Sequence, residues 1–480
     1  MTALNLLSPH IRTSPARWHT RPDDAASGIV GADDTAGPVP TQIVSASPAR
    51  LRPRTLRTSL QFALRQGDVL FADAAEHGDV LSYSFPGGPE LLAVLCNPAH
   101  IKSIMTADPA IAPSATKQSP LRPILGPNSV LTSTGPRHRR QRTLLMPRFH
   151  GRSVVAYRSS IENATATRID TWPVGEQIRL VDLAQQITLD VIMAAVFGLP
   201  DGGPTTNAEA ALRTSMTRLL KLSTHPVATI AQLTNSFSEE PVGITKVVLR
   251  PVDKAIAAVL AERRAEFAAT QRDDIAALLL AAVDEDGHPL SDGEIRDELM
   301  TLVLAGHETT ANTVAWTFER LTRTPSAYHD ARDAAAADED DYLDALLNES
   351  MRSRPVVPLV VRELKQAWQF GAHRVNEGTI AAVSILLLHH RDDLYERPFA
   401  FEPQRFLGVR PAPHTLMPFG GGNRRCLGAT LAMSELEIVV TEILRRVDLA
   451  PAEQPAERPR HRNVTMIPRE GGLVRATAIR

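Results

Sequence analysis

At 480 residues, with 43% apolar and 5% aromatic side chains, the chain is long enough for two or three domains, yet no composition shift divides it and one large helical core is feasible. Fifty-two Lys and Arg against 54 Asp and Glu leave a formal net charge of -2, which excludes a general nucleic-acid or anionic-membrane binder and makes any electrostatic partner site local. No stretch reaches the roughly 20 apolar residues of a membrane-crossing helix. Two cysteines, Cys96 and Cys426, point to a reducing compartment rather than a disulfide framework, so a cytoplasmic, monomeric protein without a membrane span is expected.

Residues 1–49 gather Pro, Ala, Ser and Gly around Asp23-Asp24 and Asp33-Asp34 with no periodic apolar face, the composition of a disordered tail. The acidic pairs argue against an organelle transit peptide, and residues 51–480 are expected to form a single domain. From Leu51 the pattern predicts a helix, two short strands at 80–85 and 91–95, and then a helical majority to about residue 350. Its clearest element runs from Ser291 to about Arg323, opened by a capping box of Ser291 and Glu294 and ended by Pro325. At 1.5 Å per residue it spans about 50 Å, enough to cross a whole domain. The run Ala334 to Asp341 reads as a solvated linker. Strand signals return at 367–372 and 379–384, on either side of Asn376-Glu377-Gly378. A sheet gathered from both ends of the chain, with helices segregated from it, is an α+β plan: mostly α with a smaller β region.

The chemistry concentrates in ten residues, Phe419-Gly-Gly-Gly-Asn-Arg-Arg-Cys426-Leu-Gly428. Gly420 to Gly422 and Gly428 let the backbone turn tightly and pass close to a bulky flat ligand. Peptide dipoles, Arg424 and a bound metal would favour a thiolate at Cys426, and Phe419 can shield it from water. By itself the cysteine is readable as a metal ligand, a redox thiol or a core residue.

The spacing Phe-x-x-Gly-x-Arg-x-Cys-x-Gly resembles the haem-binding loop of the cytochrome P450 family of haem-thiolate monooxygenases. The resemblance implies that family's fold, with a long central helix over the haem, haem b (iron protoporphyrin IX) as cofactor, and Cys426 as the axial iron ligand. Within the central helix, Ala305-Gly306-His307-Glu308-Thr309-Thr310 is similar to the family's oxygen-binding groove. Helical spacing stacks Leu302, Ala305, Thr309 and Thr313 on one face, and Gly306 with a back-bonded Thr309 would permit a local bulge. Carried over by position, Thr309 would hold dioxygen by a hydrogen bond and Glu308 would relay protons for O–O cleavage, while His307 and Thr310 are read as packing or solvent residues.

Glu349-Ser-Met-Arg352 resembles the family's Glu-x-x-Arg helix, and Phe401-Glu-Pro-Gln-Arg405-Phe406 its Phe-x-Pro-x-Arg-Phe segment. Glu349, Arg352 and Arg405 would then form a buried structural network beside the cysteine loop. His138 and Arg142, at i and i+4, match a family His/Trp-x-x-x-Arg helix and, with Arg362 and Arg424, would hold the two haem propionates. Arg137, Arg139, Arg140 and Arg425 are expected to form a basic patch for an acidic electron carrier.

Two cysteines are too few for an iron–sulfur cluster, and no dinucleotide fingerprint follows a strand. Electrons from NAD(P)H would therefore arrive through separate carriers, a ferredoxin and ferredoxin reductase or a similar donor. Leu302, Ala305, Val356, Val357, Leu359 and Val360 would line an apolar pocket for a lipid, steroid, terpene or xenobiotic. The alternatives are a peroxide-using or rearranging haem-thiolate enzyme, which has no need of the Glu308-Thr309 relay, and a non-catalytic haem protein that binds a ligand.

Overall fold

The computed structural model describes residues 36–38, 55–85, 91–117, 119–200, 203–223, 240–266, 272–283 and 287–480. Four strands, β1 (Val80–Tyr83), β2 (Leu92–Leu95), β3 (Leu359–Glu363) and β4 (Ile380–Ser384), form one sheet in the order β1-β2-β4-β3. β2 and β4 pair in parallel and the outer pairs are antiparallel, so the sheet joins residues nearly 300 positions apart, as the α+β plan requires. Most of the expected tail lies outside the described residues. Ala36–Pro38 nevertheless form a strand, antiparallel to Trp368–Phe370.

The helices that position the site are α1 (Gly135–Leu145), α2 (Leu180–Phe197), α3 (Asp292–Thr322), α4 (Pro325–Ala337), α5 (Asp340–Ser353) and α6 (Ala429–Arg446). α3 begins as its local chemistry dictates: Ser291 is the N-cap, and both halves of the capping box with Glu294 are present. Its first half, with Leu299, Met300, Leu302 and Val303, is buried against Ile192, Met193 and Val196 of α2. Its second half, with Ala311, Val314, Phe318 and Leu321, enters a different core shared with Val439, Val440 and Ile443 of α6. Residues 305–310 belong to neither apolar cluster. The polar motif thus sits at the junction of two cores, on a helix held firmly at both ends.

Three local expectations are corrected. α2 is long and apolar enough to cross a membrane, but 67% of it is buried inside the protein, which marks a core helix packed along α3. Ala334 to Asp341 is not a solvated linker: Ala334 and Ala335 are buried in α4, Asp338 closes that helix with φ 57°, and α5 starts at Asp340. Alanine combines high helix propensity with a side chain small enough for close helix packing, so a repetitive composition here made a packed element. Finally, α3 runs unbroken through 305–310. Gly306 serves close packing instead of a bulge, since a Cβ there would lie 2.8 Å from Ile192 Cδ1.

Candidate active site

The cysteine loop is closed by its own backbone. Gly420 N–H donates to Met417 O at 3.0 Å and Cys426 N–H to Phe419 O at 2.9 Å. Gly420 and Gly422 both adopt φ 65°, and a Cβ on Gly422 would overlap the Met105 carbonyl, so the loop requires glycine there. Gly428 differs. It has φ -88° as the N-cap of α6, and an added Cβ would meet only Phe149 at 3.7 Å, an ordinary contact. Phe419 is partly buried against the α3–α6 core.

Cys426 is solvent-accessible although protein encloses it on most sides, so the surface it offers belongs to an interior cleft. Burial is the largest influence on its thiol and pushes its pKa up, against the Gly428 N–H and the charges of Arg142 and Arg425. The polypeptide alone therefore does not make a thiolate; metal binding must displace the proton. The arginines at the sulfur are Arg142 and Arg425, where the sequence suggested Arg424. Cys96 is fully buried beside Asp79, and both cysteines are free.

Three arginines and a histidine converge next to this loop. His138, on α1, is 5% exposed, and its pKa is lowered to about 4, first by burial and then by the charges of Arg424, Arg142 and Arg362. Arg362, on β3, is buried and brought down to about 10; its Nη2 lies 3.6 Å from Met105 Sδ and 3.5 Å from Gly421 O. Arg424 donates to the carbonyls of Val130, at 2.9 Å, and Ser133, and is likewise lowered to about 10 by burial and by Arg362 and Arg142. Burial also lowers Arg142. None of the four forms an ion pair with an acid among the described residues. Gathering buried positive charge without a counter-charge is unfavourable, and a ligand bearing two carboxylates relieves it. Beside a cleft thiol and a glycine turn, this donor set fits haem.

On α3, Ala305 is exposed in the middle of an otherwise buried helix. Thr309 Oγ1 donates to Ala305 O at 2.7 Å and Thr313 Oγ1 to Thr309 O at 2.9 Å, with the helix intact. Glu308 points elsewhere. Its Oε1 accepts from Arg462 Nη2 at 2.6 Å and Nε at 3.1 Å and from Thr465 Oγ1 at 3.0 Å, on the hairpin Pro459–Arg462 and Thr465–Pro468. A free relay carboxylate next to Thr309 is not what the fold presents. His307 is buried, 2.9 Å from Thr188 Oγ1, with its pKa lowered to about 4 by burial. Thr310 is buried and hydrogen-bonded to Glu435 of α6, whose pKa burial raises to about 8.

The structural network is assembled in full. Glu349 and Arg352 are wholly buried, joined by Arg352 Nε to Glu349 Oε2 at 2.6 Å and Nη2 to Oε1 at 2.7 Å, and Arg405 Nε lies 3.1 Å from Glu349 Oε2. Arg352 also donates to the carbonyls of His389, Pro398 and Ala400. His389 was not visible in the sequence as a site residue. Its Nε2 accepts from Met417 N at 2.8 Å, tying the start of the cysteine loop to this network. Arg462 was missed likewise. Neither belongs to a spaced motif.

The pocket and patch expectations divide. Strand alternation places Leu359 and Val361 against Phe62, Leu70 and Tyr83, whereas Val360 packs with Met105 and Met417 near the cysteine loop. Leu359 is therefore on the opposite face of β3 from Val360. Leu302 is 7% exposed in the α2–α3 core, Val356 is buried with its carbonyl bonded to Met466 N, and Val357 is half-buried. Arg137 pairs with Glu294 at 2.8 Å, and Arg140 also lies near that acid, so the exposed basic surface is reduced to Arg139 and Arg425.

A family model for cytochrome P450 matches residues 60–475. The chain is similar to the Mycobacterium bovis protein named cytochrome P450 135B1, with 37% identity over 425 residues, 87% of this chain and 89% of that protein. It is also similar to a Mycobacterium tuberculosis protein named cytochrome P450 137, with 34% identity covering 87% of this chain and 85% of that protein. Its fold matches the solved structure of a retinoic acid bound cyanobacterial CYP120A1 with TM-score 0.72 and 22% identity, over 91% of this chain and 100% of that one. A family match across so much of the chain, joined to relatives above 30% identity, means that this protein belongs to the cytochrome P450 family and is a haem-dependent monooxygenase.

Proposed function

We propose that Cys426 ligates the haem iron, that His138, Arg142, Arg362 and Arg424 hold the propionates, and that the enzyme inserts one oxygen atom of O₂ into an apolar small molecule. The observation that carries this reading is the cluster of three arginines and a neutral His138, none paired with an acid among the described residues, beside the accessible Cys426 thiol. Haem, when bound, supplies dioxygen activation and oxygen transfer. The protein's part is positioning and proton handling. Ala305 leaves room over the site, and Thr309 offers a hydroxyl one helical turn along. Glu308 can pass a proton toward it only when its contact with Arg462 opens. Phe419 and the glycine turn limit water at the sulfur, and Val356, Val357 and Val360 supply apolar surface for a lipid-, steroid-, terpene- or xenobiotic-like substrate.

Electrons come from NAD(P)H through a ferredoxin and its reductase or a similar donor, docking at the exposed Arg139 and Arg425. Residues 51–480 act as one domain of a cytoplasmic monomer. Reconstitution with surrogate ferredoxin, reductase and NADPH tests the reading, using substrates chosen by the spin-state shift they cause on titration. Substrate-dependent O₂ consumption with an oxygenated product is expected. Turnover with peroxide alone, or ligand binding without turnover under any donor, would overturn it.

A further inference from the structure

Asp297 and Glu298 lie in the second turn of α3, 5% and 2% exposed, and neither takes part in the chemistry above. Both contact one loop, and Asp297 Oδ1 also accepts from Arg296 Nη1 at 3.1 Å. Asp297 Oδ2 accepts from Asn128 N and Glu298 Oε2 from Val130 N, each at 3.1 Å. The loop is held from its other side by Gln141 of α1, which donates to Asn128 O and accepts from Ser133 Oγ. Gly126, at its start, has φ +81° and passes so close to Asp297 that any Cβ would overlap the carboxylate. The same loop supplies both carbonyls that Arg424 holds, those of Val130 and Ser133. Val130 therefore has its N–H on Glu298 and its C=O on Arg424, so one residue's φ and ψ link the buried acid to the guanidinium.

We infer that Glu298 is a positioning residue for Arg424: by holding the Val130 N–H it fixes the carbonyl that aims the guanidinium at the haem propionates. The burial of a carboxyl group in this place is otherwise without use. Its neighbours are Asp297 and Arg137, and burial raises its pKa to about 8, so it stands as a neutral acid that glutamine can imitate. The inference rests on the proposed role of Arg424, and the experiment separates the two.

The measurement is the rate of haem release from purified holoprotein to excess apomyoglobin, for wild type and for Glu298→Ala, Glu298→Asp, Glu298→Gln, Arg424→Ala and the Glu298→Ala/Arg424→Ala double variant. Glu298→Ala and Glu298→Asp, which remove or shorten the acceptor, should release haem about tenfold faster, as loss of a supporting contact around a cofactor ligand commonly does, whereas Glu298→Gln stays near wild type. The double variant should be no faster than Arg424→Ala. Wild-type rates in Glu298→Ala or Glu298→Asp, or additive effects in the double variant, would overturn the link while leaving Arg424 in its role. A wild-type rate in Arg424→Ala would overturn the Arg424 assignment and the inference with it. Should Glu298→Ala not fold, the contrast between Asp and Gln decides the matter.

Discussion

Glu349 and Arg352 have no exposed surface, so removing one strands the other in a medium that cannot solvate it. Arg352→Leu should cost about 3–5 kcal/mol in urea unfolding, with haem content falling in parallel; an effect below 1 kcal/mol would show that the network is not under load. At the oxygen side, Thr309→Ala should lower the rate of product formation by about a hundredfold or more, the range for a lost proton-handling group, with the substrate-induced spin shift kept. These residues were legible because each sits in a spaced motif whose chemistry needs several side chains at once. His389 and Arg462 were not. His389 works through Met417 N–H and its own carbonyl, and Arg462 reaches Glu308 across 154 positions, so neither leaves a local sequence signal.

At the scale of elements, α3 was readable to within a residue because its start is a local matter, the capping box at Ser291, and Pro325 follows its end. What happens inside it was not local. Gly306 and Thr309 are compatible with a bulge, and packing against Ile192 decides for a straight helix. The same tertiary override turned Ala334 to Asp341 from a linker into the end of one helix and the start of the next. For the cysteine loop the glycines separate into two kinds. Gly422→Ala must accept a positive φ and a clash with the Met105 backbone, and should destabilise the protein by about 1–3 kcal/mol, read as a lowered Tm and reduced haem content. Gly428→Ala meets no such obstacle within the polypeptide. Any loss it causes in the holoprotein, absent from the apoprotein, would report the demand of the cofactor itself.

Across the whole molecule, several buried histidines and glutamates are held in their neutral forms, and these shape the response to pH. Burial lowers His389 to about 3 and His307 and His461 to about 4, from 6.5. As pH falls below 6.5 the unfolded chain takes up these protons first, so stability is lost progressively toward pH 3–4. Glu298 and Glu435 act with the opposite sign. Raised from 4.5 to about 8, they bind protons in the folded state, and their contribution is lost as pH rises from 4.5 through 8. His138, lowered to about 4, and His390, lowered well below 6.5, act with the same sign as His389, His307 and His461. The histidines outweigh the two glutamates below 6.5 and only the glutamates act above it, so stability should peak near pH 6.5 in urea titrations. His389→Gln should flatten the acid side; an unchanged slope would contradict the buried neutral ring.

The arginines beside Cys426, which pair with no acid among the described residues, stand apart from these neutral groups, and their meaning depends on what the cysteine binds. The most direct measurement is the absorption spectrum of the reduced carbonyl complex of wild type and Cys426→Ala. Thiolate ligation predicts a Soret maximum in the wild type that shifts when the sulfur is removed, with haem bound more weakly. Identical Soret maxima in the two proteins would contradict Cys426 as the iron ligand.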